Sequence, residues 1–469
     1  MIVRENPARP SEVVGSLPVT ADVAGVVTSA QDAFQAWAAV PLKQRCSAVT
    51  AAAAPLEARV GELAELMARE TGKPLSDCRG ELGFSLAVVR WCAERAAQAL
   101  SDEDVSADGG RMLLRRTPFG VVAAVTPWNA PVVLALLKVA PALCAGNAVV
   151  VKPSPLAPFA VTEVLRVLAT ALPDGLLSVV QGGADTGAAL VGDPRVRKVA
   201  FTGGEASGRA IAHLAADRLV PAVLELGGND PAVFLRDAVL SDEAMDRLVM
   251  ASFATSGQVC MAAKRLYVHS SLAARFLDAY LAAADRVLVT GDPLADGVTM
   301  GPLVTRAAAD RVAALLRSGT VHRLGSTREL GDGYFVPPAL VTGLADDAPL
   351  VAQEQFGPAV PLLVFDDEDE VVARANAGEL GLGASVWSAD EDRAFALGAR
   401  LEAGFVFVNT HNRTGLSLRA PFGGVKGSGY GREYGEEGLR EYVQTCVTHA
   451  PAAFRAGGSG SGAASYPGT

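Results

Sequence analysis

The chain has 469 residues, with 41 Lys and Arg against 51 Asp and Glu, a formal charge of −10 at pH 7. Half of the residues are apolar and 20% are charged, which excludes global disorder and is enough for two or three packed domains. The acidic balance argues against a nucleic-acid or anionic-membrane partner, since either would need a basic face.

The opening MIVRENPARPSE has no apolar leader core, and no run of 18 apolar residues is free of polar interruption. A soluble, cytoplasmic protein is therefore expected. The six cysteines are scattered without a C-x-x-C pair and the five histidines lack i,i+4 spacing, so neither a disulfide framework nor a metal site is expected.

The first hundred residues read mostly as helix, with apolar positions three and four apart over 22–37, 45–69 and 81–100. The pattern turns extended over 111–116. From 119 to 240, short apolar runs alternate with helical segments: VVAAV (121–125), AVVVK (148–152), LLSVV (176–180), KVAFT (198–202) and AVLEL (222–226). Continuous apolar runs separated by helices indicate an α/β fold whose parallel sheet is covered on both faces. A second alternating region adds a helix over 271–289 and strands over 265–268, 361–365, 384–387 and 405–409. The Gly/Ser-rich stretch 456–469 is expected to be disordered.

Four local patterns bear on chemistry. In SGQVC (256–260), Gly257 supplies a turn that can expose the Cys260 sulfur as a nucleophile, although a lone Cys is as readily a small buried apolar residue. In LELGGND (224–230), Glu225 ends an apolar strand where burial raises a carboxyl towards general-base range; a solvated strand-end Glu is the alternative. The spacing lets Glu225 and Cys260 meet at the carboxyl end of a sheet. In TPWNAP (126–131), Asn129 offers an amide N–H suited to an oxyanion, or simply forms a turn. G-x-G-x-x-G is absent from the strand–helix junctions, but FTGGEASGR (201–209) leaves a strand for a helix N-terminus that can approach a pyrophosphate, and Lys152 ends another strand.

In order, PWNAP (127–131), VVKPSPLAP (150–158), FTGG (201–204), LELGGNDP (224–231), SGQVCMA (256–262), EQFGP (354–358) and PFGGVKGSGYGRE (421–433) resemble the aldehyde dehydrogenase superfamily over about 22–448. The resemblance implies that Cys260 attacks an aldehyde, that Asn129 and the Cys260 N–H hold the thiohemiacetal oxyanion, and that Glu225 activates water to release the acid from the thioester. It implies NAD binding, with NADP possible, through Lys152, Ser154, Trp128, Gly203, Gly204, Glu354 and Phe356, although Phe356 also suits an ordinary core position. Acylating relatives that pass the thioester to coenzyme A commonly lack the carboxylate that Glu225 matches. A non-catalytic protein keeping the fold is the remaining class, and the complete Cys260–Glu225–Asn129 set argues against it.

Two positions depart from the pattern. Pro155 stands where a ribose-binding Glu is frequent, which removes an anion that would repel a 2′-phosphate, yet no Arg replaces it. Gly204 stands where Ser is common. The expected substrate pocket, formed by Ala130, Val133, Leu134, Leu137, Ala254, Val259 and Met261, is apolar and points to an aliphatic or aromatic aldehyde. Arg413, in a loop that borders the pocket mouth in relatives, offers an alternative: it could bind the carboxylate of a semialdehyde. The implied architecture is a Rossmann-like dinucleotide-binding domain (1–105 and 118–226), an α/β catalytic domain (227–428) and a small β oligomerisation element (106–117 and 429–450), with a tail at 451–469. A homodimer or homotetramer is implied, with GLREYVQTCVT (438–448) as an edge strand that wants a partner.

Overall fold

The structure, a computed structural model, describes residues 1–452, so the tail at 456–469 lies outside the described residues. The chain opens on a hairpin, β1 (Ile2–Asn6) and β2 (Arg9–Leu17), rather than on helix. Burial along β2 alternates almost residue by residue, but its less exposed positions include Pro10 and Glu12, so the alternation does not show as an apolar pattern in the sequence. Helices α1 (Val23–Ala38), α2 (Leu42–Ala53), α3 (Val60–Thr71) and α4 (Leu75–Ala99) follow. The single helix expected over 45–69 is two, because Pro55 has no N–H for a continuous ladder and Ala54–Arg59 tighten into a 3₁₀ turn.

After β3 (Arg111–Pro118) come β4 (Val121–Val125), α5 (Pro131–Ala145), β5 (Ala148–Lys152), α6 (Phe159–Ala169), β6 (Leu177–Val179), α7 (Ala184–Gly192), β7 (Val196–Thr202), α8 (Glu205–Ala216) and β8 (Ala222–Glu225). Every residue of β4 and β5 is buried, as strands covered by helices on both faces must be. The parallel order is β8-β7-β4-β5-β6. The chain starts in the middle, builds outward to β6, then crosses to the other side of β4. That reversal leaves a crevice at the carboxyl ends of β4, β5 and β7, where ligands of open α/β sheets bind.

Residues 226–229 carry the chain into a second sheet. Its elements are β9 (Asp230–Phe234), α9 (Asp242–Phe253), β10 (Ala263–His269), α10 (Ala273–Val287), α11 (Arg306–Leu315), β11 (Thr320–Arg323), β12 (Ala339–Thr342), β13 (Ala359–Phe365), α12 (Glu368–Asn376), β14 (Gly383–Trp387), α13 (Glu391–Gly398) and β15 (Phe405–Val408). The order is β11-β12-β13-β10-β9-β14-β15, parallel except for β11. Two of its clusters pack β9 through opposite side chains, Ala232 and Phe234 in one and Val233 and Leu235 in the other, as period-two alternation requires.

Finally β16 (Gly429–Tyr430) pairs antiparallel with β8, and α14 (Gly435–Arg440) leads into β17 (Val443–Ala450). The edge strand expected over 438–448 therefore begins only at Val443, because Gly438–Arg440 are helical and Leu439 turns into the first core. β17 pairs with β3 from Val443↔Pro118 to Ala450↔Arg111, and a two-residue strand at 103–104 lines the other side of β3. Among the described residues no helix is long and apolar enough to cross a membrane.

Candidate active site

At the crevice, a groove of about 480 Å³ is lined by Lys152, Ser154, Pro155, Gly203, Gly204 and Trp128, and by the first turns of α7 and α8. A Cβ on Gly204 would meet nothing within 4 Å, so this helix start is open to the groove, and its unpaired N–H groups suit a pyrophosphate. Lys152 is buried, its Nζ donates only to the Pro153 carbonyl (3.0 Å), and burial lowers its pKa to about 8. Among the described residues, the charged side chains lining the groove are Lys152 and Asp185, the latter absent from the sequence-based expectations.

The groove continues into a cavity of about 240 Å³, sharing Pro127, Trp128, Thr202, Gly203 and Gly204 with it. This inner cavity holds Cys260, Asn129, Glu354, Phe356, Leu226, Gly227 and Arg311. Phe356 is half-buried at the wall rather than in a core, with φ +45 and its ring edge-on to Trp128 at 5.7 Å. Such a φ is costly for a bulky residue and persists only where surroundings enforce it. The preceding residues supply the hold, since Arg311 donates to the Glu354 carbonyl (2.9 Å) and the Gln355 carbonyl (2.6 Å). Glu354 accepts from Gly228 N at 3.1 Å, and burial raises its pKa.

The Gly227–Gly228 pair is required by close approach. A Cβ on Gly227 would lie 2.6 Å from Glu354 Oε2, and one on Gly228 would lie 2.3 Å from the Cys260 carbonyl oxygen. Any larger residue would push the carboxylate or the cysteine out of the cavity.

Cys260 and Glu225 do not share the carboxyl end of one sheet, as spacing had suggested. Glu225 ends β8 in the first sheet, whereas Cys260 precedes β10, at the amino end of a strand of the second. The two sheets face each other across the cavity, and the carboxyl edge of one meets the amino edge of the other. Burial first, and then the charges of Glu225, Asp230 and Glu354, raise the Cys260 pKa, while the Met261 N–H donates to the sulfur and favours the thiolate.

The turn before Cys260 takes a left-handed path through Thr255 (φ +56), Ser256 (φ +57) and Gly257 (φ +69). Its side chains are pinned from distant elements. Thr255 N and Oγ1 both donate to Asp77 Oδ2 (3.1 and 3.2 Å), and Ser256 Oγ donates to the Gly301 carbonyl (2.8 Å). Asn129 Nδ2 donates one hydrogen to the Gln258 carbonyl (3.0 Å), leaving its second N–H for the cavity. The segment carrying Asn129 is fixed in turn because Glu81, paired with Lys73, accepts from Val132 N (2.9 Å) and Val133 N (3.2 Å) at the start of α5.

Glu225 is buried, and among the described residues its Oε1 has no hydrogen-bond partner. Burial, then the neighbouring Glu433, raise its pKa well above the usual carboxylate range. Close to it lies a buried set that sequence reading did not find: Lys138 donates to Glu433 Oε1 (2.5 Å) and to Thr202 Oγ1 (2.6 Å). Lys138 sits inside the otherwise apolar α5, and a lone cation on an apolar face was the available signal.

None of Ala130, Val133, Leu137, Ala254, Val259 or Met261 lines the inner cavity. Leu137 instead borders a void of about 10 Å³ beside Trp91, Leu418 and Tyr434. Val259 and Met261 are half-buried beside Cys260, while Ala254 is buried at the end of α9. Arg413 donates to Asp77 Oδ2 at 3.1 Å, so its charge is already matched by the carboxylate that holds Thr255.

A profile described as the aldehyde dehydrogenase family matches residues 2–447. The chain is 36% identical over 437 residues to 4-trimethylaminobutyraldehyde dehydrogenase B of Danio rerio, covering 91% of this chain and 83% of that protein. It is 35% identical over 451 residues to the NADP(+) succinate-semialdehyde dehydrogenase of Escherichia coli K12, covering 94% and 92%. The crystal structure of a Mycobacterium tuberculosis aldehyde dehydrogenase complexed with NAD+ superposes with a TM-score of 0.91 at 30% identity, covering 97% of this chain and 95% of that one. With a profile spanning nearly the whole chain and relatives above 30% identity over nine-tenths of it, this protein belongs to the aldehyde dehydrogenase family.

Proposed function

We propose that the protein oxidises an aldehyde to its carboxylic acid with NAD(P), Cys260 acting as nucleophile, Asn129 as oxyanion donor and Glu225 as the base for hydrolysis. The observation that carries this reading is the meeting of Cys260, Asn129 and Glu354 in one cavity continuous with the glycine-lined groove. The groove suits a dinucleotide: open helix starts for phosphates, the Lys152 ammonium beside them, and Glu354 at the inner end for ribose hydroxyls. The bound nicotinamide supplies the hydride acceptor.

The chain's own residues do the rest. The Cys260 sulfur, once deprotonated, bonds to the aldehyde carbon, and the carbonyl oxygen becomes an alkoxide within reach of the free Asn129 N–H. Loss of hydride from that tetrahedral carbon leaves a thioester on Cys260. Burial gives Glu225 a high proton affinity, so once ionised it is a strong base for the water that attacks the thioester. Lys138, Glu433 and Thr202 form the polar floor on which that carboxyl rests. Trp128 and Phe356 wall the cavity against bulk water.

NAD is the favoured cofactor. Pro155 offers no cation for a 2′-phosphate, no Arg among the described residues lines the groove, and Asp185 adds a negative charge. The favoured substrate is an apolar aliphatic or aromatic aldehyde, since Asp77 already neutralises Arg413. A semialdehyde is the second reading, supported by the 41% exposure of the Arg413 side chain: a substrate carboxylate would take the place of Asp77 on it. The same reading divides the chain into the dinucleotide-binding, catalytic and oligomerisation parts expected from sequence. Outer strand β17, exposed along nearly all its length, supports assembly as a homodimer or homotetramer. The deciding experiment follows reduced-nicotinamide absorbance with hexanal, benzaldehyde and succinic semialdehyde, each with NAD and NADP. Reduction by at least one aldehyde is expected, and silence across the panel overturns the reading.

A further inference from the structure

The cavity is tied to the amino-terminal hairpin by an unbroken line of buried hydrogen bonds. Arg4, on β1, is 2% exposed. Its Nε donates to the Glu70 carbonyl (2.8 Å), near the end of α3, and its Nη2 donates to the Val304 carbonyl (2.7 Å), in the segment before α11. A half-exposed Glu5 carboxylate lies 3.3 Å from Nη1. The N–H of the same Val304 donates to Gln258 Oε1 (3.0 Å), and Gln258 Nε2 donates to the Thr255 carbonyl (3.1 Å). The Gln258 main-chain carbonyl, finally, is the acceptor that fixes Asn129 Nδ2. Ser256 makes a second bond to this segment, at the Gly301 carbonyl.

We infer that Arg4 is a positioning residue for the oxyanion donor, acting through Val304 and Gln258 on Asn129. A buried guanidinium spanning two carbonyls of different elements fixes their separation in a way that a single-point cation cannot. Segment 301–304 is irregular backbone between α10 and α11, outside the sheet ladders, and it accepts one bond from Ser256 and donates one to Gln258, both in the stretch just before Cys260. Its register therefore sets where Gln258 lies, and Gln258 sets which way the Asn129 amide points. Small displacements at such a donor are costly, since a shift of about 1 Å from a distant substitution can lower a rate by about a hundredfold.

This inference rests on Asn129 being the oxyanion donor, so the test carries Asn129→Ala as its own arm. The rate of the first turnover of NAD reduction is measured with whichever of hexanal, benzaldehyde and succinic semialdehyde reacts fastest. In parallel, the rate of Cys260 alkylation by iodoacetamide is measured; that displacement generates no oxyanion. Arg4→Met is expected to slow the first turnover about tenfold and leave alkylation within about twofold of the parent. In the Asn129→Ala background, Arg4→Met is expected to add no further loss, because there is no amide left to orient. Arg4→Lys, which keeps the charge but cannot span both carbonyls, gives the same pattern and serves if the Met variant does not fold. The inference is overturned if the first turnover is unchanged, if alkylation falls in step with it, or if the loss persists in full without Asn129. A normal first turnover in Asn129→Ala alone overturns instead the oxyanion reading on which it stands.

Discussion

The two edges that meet at the cavity are built on opposite principles. The carboxyl edge of the first sheet is a groove of helix starts, glycines and one lysine, with few side chains that have to be held. The amino edge of the second is a left-handed turn whose side chains are pinned by Asp77 and Gly301, followed by Gln258, which Val304 holds by its side chain and Asn129 by its carbonyl. The first follows from topology alone: wherever a parallel sheet reverses direction, free helix N–H groups gather. The second needs particular side chains, because a turn of three successive positive φ values has no ladder of its own and is stable only when its neighbours impose it. Binding should therefore survive damage to the turn, and chemistry should not.

Cys260→Ala is the strongest test of that separation. Turnover should fall by more than about 10³-fold, because the substituted side chain carries no nucleophile. NAD affinity by fluorescence titration should stay within about twofold, since the groove is lined by other residues. A large loss of affinity would mean that the two edges form one unit.

Glu225→Gln probes the residue where the first sheet reaches the second. Reduced cofactor should appear in a burst of one equivalent per active site and then slow by about 10²–10⁴-fold, the range for a lost general base. Because burial raises the Glu225 pKa, the steady rate of the parent should climb with pH through and above the ordinary carboxylate range as the group ionises. That climb should vanish in the variant, and steady turnover at the parent rate would assign the base elsewhere.

These contrasts also explain what could be read from sequence. β4 and β5 fall on their apolar runs, because a strand buried on both faces is apolar along its length, with Lys152 at the end of β5 the one charged residue between them. The groove was legible for the same reason, its glycines following directly on strand ends. The Lys138–Glu433 pair was not, because its members are separated by 295 positions and only folding brings them together. Nor was the placement of Cys260 at an amino edge, since a motif gives the turn but not the sheet it borders. β1 and β2 were masked because their inward positions include polar residues (Arg4, Asn6 and Glu12) rather than an apolar run, and Arg4 reads as an ordinary charged residue until its burial is seen.

Lys152 offers a smaller effect, confined to binding. Burial lowers its pKa to about 8, and the proposed contact with the phosphates and ribose would favour the ammonium. Binding above that pH must take up a proton, so NAD affinity should weaken as pH rises, by about tenfold at most per pH unit. Below pH 8 the affinity should be flat. Lys152→Met should bind more weakly with no slope in this range, and an unchanged slope would place the titrating group elsewhere.

The smallest effect concerns which dinucleotide the groove accepts. Pro155 borders it without charge, and among the described residues Asp185 is its one lining carboxylate. Two unit charges at 4 Å interact by about 1 kcal/mol even in water, and a 2′-phosphate carries nearly two. Pro155→Glu should therefore raise the KM for NADP at least about fivefold while leaving that for NAD within about twofold. The added discrimination should shrink in high salt, as expected for partly exposed charges. Asp185→Ala should move the ratio the other way by a smaller factor, because Asp185 is exposed at the first turn of α7 and more heavily screened. If neither substitution changes the NAD/NADP ratio, the outer end of the groove does not read the ribose. Selectivity would then have to arise nearer the cavity, at the more demanding of the two edges.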